Sequence, residues 1–254
     1  MKLIFPILFL SCLLSLPSKV IGQRSKAPAV QIGWDTSIQV DGNMDEWGDL
    51  PHSYVTQKFL FDVRNDQNNV YLAIEIEDRE TQQQALMHGV TWTINPKGKK
   101  REDRSITFPL ADRTSYRAIM AEDHSDKPKD AREGALRAVR GIYLMKFDDI
   151  VDGLVSLNNT YGVSAKASVG ENGKLYIEMA LPIKRLGLAK SKDALLAMNI
   201  KINGVPAMVA SAPSRPAPMM NTRGYGSYPV SRTRLRVEPG IWFISTLAIQ
   251  KNNS

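Results

Sequence analysis

The chain has 254 residues, a formal net charge of +7 and 43% hydrophobic residues. A chain of this length can bury one sizeable core, and large β-sandwiches often reach it as single domains. The charge is modest for the length and no groove-reading motif is present, so the composition argues against a nucleic-acid-binding protein.

The first 22 residues have the features of a secretory signal peptide. Lys2 precedes an apolar run from Leu3 to Leu16, and a V-I-G end stands before Gln23. The apolar run is too short for a comfortable membrane span. We therefore predict a leader over residues 1–22, a single domain over 23–254, and a periplasmic or secreted protein.

Cys12 is the only cysteine of the chain and lies inside the predicted leader. Its removal would leave a mature domain with neither a disulfide nor a thiolate ligand for a metal. An alternative makes Cys12 the lipid-bearing residue of a lipoprotein. The sequence F-L-S-C lacks the usual Leu-small-small run before the cysteine, which favours the ordinary leader.

The first half of the mature chain predicts several strands. Between Ile38 and Pro51, apolar and polar residues alternate and are followed by an Asp-Gly turn and a Trp flanked by acids. This pattern is typical of the entry to an antiparallel sheet. Asn68 to Asp78 places four apolar residues on one face and polar residues on the other. Tyr54 to Val63 and Val90 to Ile94 are further predicted strands. Glu80 to Met87 is a predicted short helix capped near Thr81.

The second half continues this pattern. Gly162 to Val169 and Lys174 to Ala180 flank Asn172-Gly173, a pair that suits a two-residue hairpin turn. Pro182 should end the second strand, before a short turn of helix closed by Gly187. Residues 194–202 and 240–249 are further predicted strands. Many short strands separated by turns favour an all-β, antiparallel sandwich over any α/β plan.

Two segments interrupt the strands. Residues 111–141 predict a mobile loop that leads into a helix near 131–140. Residues 204–236 are rich in Pro, Gly, Arg, Met and Tyr, and such a long loop is either functional or disordered. Basic residues cluster at 97–104 and again at 215–236. A solvated loop is the favoured explanation for the first cluster, with contact to an acidic glycan as the alternative.

Three segments together resemble the DOMON-like superfamily, which includes family 9 carbohydrate-binding modules. They are I-Q-V-D-G-N-M-D-E-W, N-N-V-Y-L-A-I-E-I-E-D and L-Y-I-E-M-A-L-P-I-K-R-L-G-L, between Ile38 and Leu188. The resemblance implies a β-sandwich of jelly-roll type and a carbohydrate ligand held by aromatic faces. Where related modules often carry an acidic strand, this chain has Thr91, Thr93 and Asn95, so the usual calcium and sugar contacts cannot be transferred.

The candidate ligand-binding residues are aromatic and polar side chains predicted to lie on loops. Trp34 lies outside the alternation beside Gly33, and two tyrosines flank a Gly-rich stretch near an arginine. Aromatic rings can stack on a sugar while a guanidinium bonds to hydroxyls or a carboxylate. The predicted set is Trp34, Asn221, Arg223, Tyr225 and Tyr228.

The other tryptophans are assigned to structure. The resemblance implies that Trp47 packs beneath the edge of the sandwich. Trp92 should share a buried face with Val90 and Ile94, and Trp242 should belong to the last strand. Four acids around Trp47 leave calcium possible as a cofactor, although turn formation explains them more simply: Asp41, Asp45, Glu46 and Asp49.

Metal, haem and catalytic sites have little support. His52, His88 and His124 are scattered without metal spacing. Met87 and His88 raise a haem hypothesis, but adjacent residues point in different directions and cannot easily share one iron. No nucleophile elbow, phosphate loop or dinucleotide fingerprint is present, and Asp148, Asp149 and Asp152 fit a solvated turn.

The prediction is a non-catalytic exported binding module for a carbohydrate or glycan. Two alternatives stay open. One is a structural or assembly protein of the cell envelope with a protein partner, and the other is a haem-binding redox module.

Overall fold

The computed structural model describes residues 30–110, 114, 128–188, 194–204, 206–207, 236–237 and 240–250. Two six-stranded sheets face each other across a hydrophobic core. The first sheet contains β1 (Gly33–Trp34), β2 (His52–Tyr54), β3 (Phe59–Asn65), β4 (Asn69–Ile76), β9 (Ser164–Val169) and β10 (Leu175–Pro182). The second sheet contains β5 (Val90–Asn95), β6 (Arg104–Phe108), β7 (Gly141–Met145), β8 (Gly153–Ser156), β11 (Leu195–Ile202) and β14 (Ile241–Thr246).

The strand order is β1-β3-β4-β10-β9 in the first sheet, with β2 also paired to β3, and β14-β11-β5-β6-β7-β8 in the second. All pairs are antiparallel except β1 with β3. A separate short pair joins β12 (Pro206–Ala207) to β13 (Arg236–Val237). The helices are α1 (Arg79–His88), α2 (Pro128–Arg137) and two 3-10 turns, Val55–Gln57 and Ile183–Leu186. The predicted all-β sandwich is confirmed.

Period-two alternation produces the core. Val70, Leu72, Ile74 and Ile76 of β4 are all fully buried between the sheets, as the sequence predicted. Trp92 is likewise buried in the core from the opposite sheet. The predicted strands at 90–94, 194–202 and 240–249 correspond to β5, β11 and β14.

The predicted strand from Tyr54 to Val63 is wrong in its first half. The 3-10 turn Val55–Gln57 and Lys58, with a left-handed φ of 51°, interrupt it. The reason is tertiary. Gln57 is buried, its Nε2 donates to the Ile202 carbonyl at 3.0 Å, and its Oε1 accepts from the Ile202 amide at 3.0 Å. This side chain satisfies both backbone groups of a residue in the other sheet.

Two local predictions need correction although their elements exist. The cap of α1 is Asp78, whose carboxylate accepts from the Thr81 amide at 3.0 Å, so the cap lies three residues before the predicted one. The hairpin of β9 and β10 closes with Gly170 N–H donating to the Lys174 carbonyl at 2.9 Å. Of its turn residues only Gly173 has positive φ, which fits a three-residue loop rather than a two-residue turn.

Residues 35–50 form no regular strand and pack over the outer face of the first sheet; we call this segment the strap. The predicted strand at Ile38 is therefore wrong, but the Asp-Gly turn is present, with a Gly42 φ of 92°. A second hydrophobic cluster fixes the strap to the sheet: Ile38, Trp47, Leu50, Tyr71, Ala73 and Ala180. The backbone of the strap forms few hydrogen bonds with other backbone groups. Burial of this hydrophobic cluster therefore holds the strap in place.

A buried carboxylate lies beneath the strap. Glu178 of β10 is fully buried, and its two oxygens accept from Trp47 Nε1 at 2.8 Å and from the Gly42 amide at 2.7 Å. Trp47 is thus structural, as predicted. Burial raises the pKa of Glu178 to about 6, and these two hydrogen bonds only partly offset it.

The strap should therefore make stability depend on pH. The unfolded chain ionises Glu178 near its ordinary value of 4.5, before the folded chain does. Its stabilising contribution is full below that value and is lost as pH rises through about 6. A shift of this size corresponds to about 2 kcal/mol.

We expect the free energy of unfolding, measured with urea from pH 4.5 to 7, to fall by about 2 kcal/mol more in the wild type than in Glu178→Gln. The comparison with the variant removes the contribution of every other titrating group. Two parallel pH profiles would show that the Glu178 carboxyl is not perturbed in the folded protein.

Candidate functional site

The outer face of the second sheet carries a concave row of polar side chains. Residues that pair directly across neighbouring strands lie side by side on one face. In one row Trp242 pairs with Asn199, Asn199 with Thr93, and Thr93 with Ser105. This row crosses four strands, and neighbouring strands of a sheet lie about 4.8 Å apart.

A second row lies one step along the same strands. Lys201 pairs with Thr91, Thr91 with Thr107, and Thr107 with Tyr143. The two rows enclose a groove of about 440 Å³, with Met145 and Lys146 at one side and Trp242 at the other. We call this surface the groove.

Alternation on four strands creates the groove. In β5, Val90, Trp92 and Ile94 point into the core, so Thr91 and Thr93 point outward. The same rule turns the polar residues of β6 and β11 and the Trp242 indole of β14 to the outside. A sheet with one face in the core thus presents hydroxyl, amide, ammonium and indole groups together on its other face.

A hydrogen-bond network orders one end of the groove. The hydroxyls of Thr91 and Thr107 lie 2.8 Å apart and share a hydrogen. Asn203 Nδ2 donates to Thr91 Oγ1 at 2.8 Å and to the His88 carbonyl at 3.0 Å. These contacts fix the rotamers of both threonines before any ligand arrives, which lowers the entropic cost of binding.

Other polar groups of the groove are available to a ligand. Within the described parts of the chain, the hydroxyls of Thr93 and Ser105 and the indole N–H of Trp242 have no hydrogen-bond partner. Trp242 is half-buried, so one part of its ring faces the groove. An indole face beside unpaired hydroxyls can bind a ring that has both apolar and hydroxylated surfaces.

A second concavity, of about 490 Å³, lies between the end of β2 and the end of β4. Three of the four charged residues that line it are paired, with Lys58 Nζ 2.8 Å from Asp78 and Lys174 Nζ 2.6 Å from Glu75, and the fourth is Glu77. The hydrogen bond from Lys58, together with those from Thr81, lowers the pKa of Asp78 to about 2. This surface is therefore explained by ion pairs and the cap of α1.

The structure places only one of the predicted ligand-binding residues. Trp34 is half-buried in β1, at the edge of the first sheet, and does not line the groove. Asn221, Arg223, Tyr225 and Tyr228 lie outside the described residues. The predicted set remains a prediction.

Sequence reasoning missed the groove. It treated Thr91 and Thr93 as a departure from a family pattern and did not identify β6, β7 or β8. The available signal was a repeated one: T-W-T in β5, S-I-T in β6 and N-I-K in β11 each alternate a polar residue with an apolar one. The sequence does not show that these three strands are neighbours in one sheet.

The acids around Trp47 and one residue of the first basic cluster, Arg104, have structural roles, while Lys97, Lys99, Lys100 and Arg101 are exposed as a solvated loop predicts. Asp41 accepts from the Asn43 amide at 2.8 Å, and Glu46 Oε1 from the Gln39 amide at 3.1 Å, as turn formation predicts. Arg104 is not part of a solvated loop, because it is buried at the start of β6 and its guanidinium binds Asp103 and Asp148.

No group of three or more His, Cys, Asp or Glu side chains in the described ranges is arranged to hold a metal ion. Met87 and His88 are the last two residues of α1, on a helix rather than the strand or loop considered from the sequence. The described helices include none that is long and apolar enough to cross a membrane.

No family model matches the chain, and no curated protein does. Among solved structures, the chain is similar to a family 9 carbohydrate-binding module from Caldicellulosiruptor kristjanssonii in complex with glucose. The identity is 9%, the match covers 89% of this chain and 99% of that chain, and the TM-score is 0.37. A similarity at this level supports no functional statement about this chain, and the DOMON-like assignment stays a prediction.

Proposed function

We propose that the protein is a non-catalytic binding module that takes a carbohydrate in the groove. The observation that carries the proposal is the combination of an indole face with unpaired hydroxyl groups in one concave surface of about 440 Å³. Sugars present CH groups on a ring face and hydroxyls around its edge, so this pairing of surfaces complements both.

The geometry assigns a role to each part of the groove. Trp242 would stack on a ring face from the edge of the sheet. Ser105, and Thr93 from a buried position at the base of the groove, would exchange hydrogen bonds with ring hydroxyls, since hydroxyl groups both donate and accept. Thr91 and Thr107 would contact the next unit from their ordered positions.

The proposed setting is outside the cytoplasm, on the strength of the leader-like residues 1–22. A carbohydrate module in the periplasm or outside the cell would meet polymeric glycans directly. The resemblance to DOMON-like modules is in line with this role, and Trp34, Tyr225 and Tyr228 remain a second possible contact set.

The first test is binding of the purified protein to a broad glycan array, with and without calcium. For a glycan that binds, we expect Trp242→Ala to weaken binding by about ten-fold or more, because it removes the stacking face. Affinity would be measured by calorimetry on the array hit.

Trp242→Phe is the matched control, since it keeps an aromatic face and should retain most of the affinity. Trp242 lies on the outer face of β14, so neither variant should disturb the core, and urea unfolding checks this. Full binding by Trp242→Ala, with loss in Trp34→Ala or Tyr225→Ala, would move the ligand to the other contact set. A blank array in both conditions would overturn the proposal.

A further inference from the structure

One of the lysines that line the groove forms no ion pair with the described residues. Lys146 Nζ lies 3.4 Å from Glu102 at the rim, and Arg104 Nη1 donates to Asp103 at 3.0 Å. Lys201 also lines the groove, and no carboxylate of the described residues pairs with it. A lysine ammonium is a cation with three donors and no acceptor. The two lysines of the lining are matched in number by Glu102 and Asp103, and Lys201 is the charged side chain among them that is left without an ion pair.

Hydroxyl groups lie in the same row as this lysine. Lys201 is directly opposite Thr91, and Thr107 follows one strand further along. Thr91 Oγ1 can donate to Thr107 Oγ1 or to Asn203 Oδ1 at 3.2 Å, and when it donates to Thr107 the Thr107 hydroxyl has its own hydrogen to donate outward. An ammonium beside a hydroxyl donor is suited to an anionic oxygen, because charge-assisted hydrogen bonds are the strong ones.

The base of the Lys201 side chain is held in place by the chain that enters β14. A Cβ atom added at Gly240 would lie 2.8 Å from the Lys201 Cβ and 3.0 Å from Asn199 Nδ2. Glycine, here with a φ of 79°, is therefore needed for this close approach. The lysine stem is confined on that side, while its side chain lines the groove.

We propose that the carbohydrate bound in the groove is anionic, with a uronate carboxylate or a sulfate ester that binds Lys201 and the Thr91–Thr107 hydroxyl pair. This inference rests on the proposed function, because the same groove supplies the sugar contacts. It adds the chemical class of the ligand. The negative group lies at the Lys201 row, and the ring lies at the Trp242 row.

The test uses a panel in which each oligosaccharide is present as the neutral sugar, the uronate, the methyl ester of the uronate and the sulfate ester. The uronate and its methyl ester differ at one group, which loses its charge and gains a methyl, and the sulfate arm separates the two anion types. We expect at least one anionic form to bind about ten-fold more tightly than its neutral counterpart, with the difference shrinking as salt is raised.

Lys201→Met should abolish this preference while leaving the weaker binding of the neutral form. Lys166→Met is the matched control, because it makes the same charge change on the outer face of the first sheet and should leave the preference intact. Equal binding of neutral and anionic forms, or a preference that survives Lys201→Met, overturns this inference and leaves the proposed function in place. Absence of binding to every sugar overturns both.

Discussion

Trp47→Ala should lower the free energy of unfolding by about 4 kcal/mol or more, because two costs combine. Trp47 is 2% exposed, and truncation of a buried tryptophan to alanine costs about 3–5 kcal/mol through lost burial and the cavity left behind. The same change removes the indole N–H that binds Glu178 at 2.8 Å, leaving a buried carboxylate with one donor fewer. Against a total stability of about 5–15 kcal/mol, this is a severe loss.

Urea unfolding at pH 7 measures the effect, and Trp47→Phe is the control. Phenylalanine keeps a buried aromatic ring but loses the N–H and part of the indole volume, so we expect a smaller loss, of about 1–3 kcal/mol. Combining Trp47→Phe with Glu178→Gln should then cost less than the sum of the two single changes, because they act on one contact. A loss below about 1 kcal/mol for Trp47→Ala would show that the strap does not contribute to global stability.

Arg64→Met should cost about 3 kcal/mol, because one guanidinium joins the strap to the first sheet. Arg64 Nε donates to Asp62 at 2.9 Å and Nη1 to Asp35 at 2.9 Å. Its remaining donors reach the carbonyls of Glu46 at 3.0 Å and Trp47 at 2.5 Å, and its cationic carbon lies 5.0 Å from the centre of the Trp47 ring. Removal of the arginine leaves the Asp62 carboxylate, in a residue 7% exposed, without its cation.

Two variants test this account through thermal and urea unfolding. Arg64→Lys should recover only part of the loss, since a single ammonium cannot reproduce the planar fork that reaches four acceptors. Arg64→Met with Asp62→Asn should be more stable than Arg64→Met alone, because the second change removes the unpaired buried charge. If the double variant is the less stable one, the cost does not come from Asp62.

Sequence patterns cannot predict either the contact between Trp47 and Glu178 or the contacts of Arg64 with the strap. The D-E-W-G-D segment indicated a packed tryptophan, and Trp47 is packed. The indole partner, Glu178, stands 131 residues later, in a strand where it alternates with apolar residues. Polar residues on an outer strand face are usually solvated, so a buried glutamate there becomes visible only when the strap is placed over it.

The candidate site also depends on contacts between segments that are distant in the chain. Each polar pattern, such as Thr91 with Thr93 or Asn199 with Lys201, is local and readable. The groove exists because β5, β6, β11 and β14 are neighbours in the second sheet, although β5 and β14 are about 150 residues apart in the chain. The sequence-based site prediction relied on aromatic residues at 221–228. The composition there is unusual, but no strand pairing can be inferred from it.

The sequence by itself determined the all-β class, the buried faces of β4, β5 and β10, the strand β11 and the short helix before β5, because strand and helix periodicities are properties of consecutive residues. The tertiary structure alone decided the break at Gln57, the path of the strap, the buried state of Glu178 and the assembly of the groove. Each of these depends on which distant segments pair and in what register. The residues next to a given residue in the chain do not reveal which residues it contacts across the sheet.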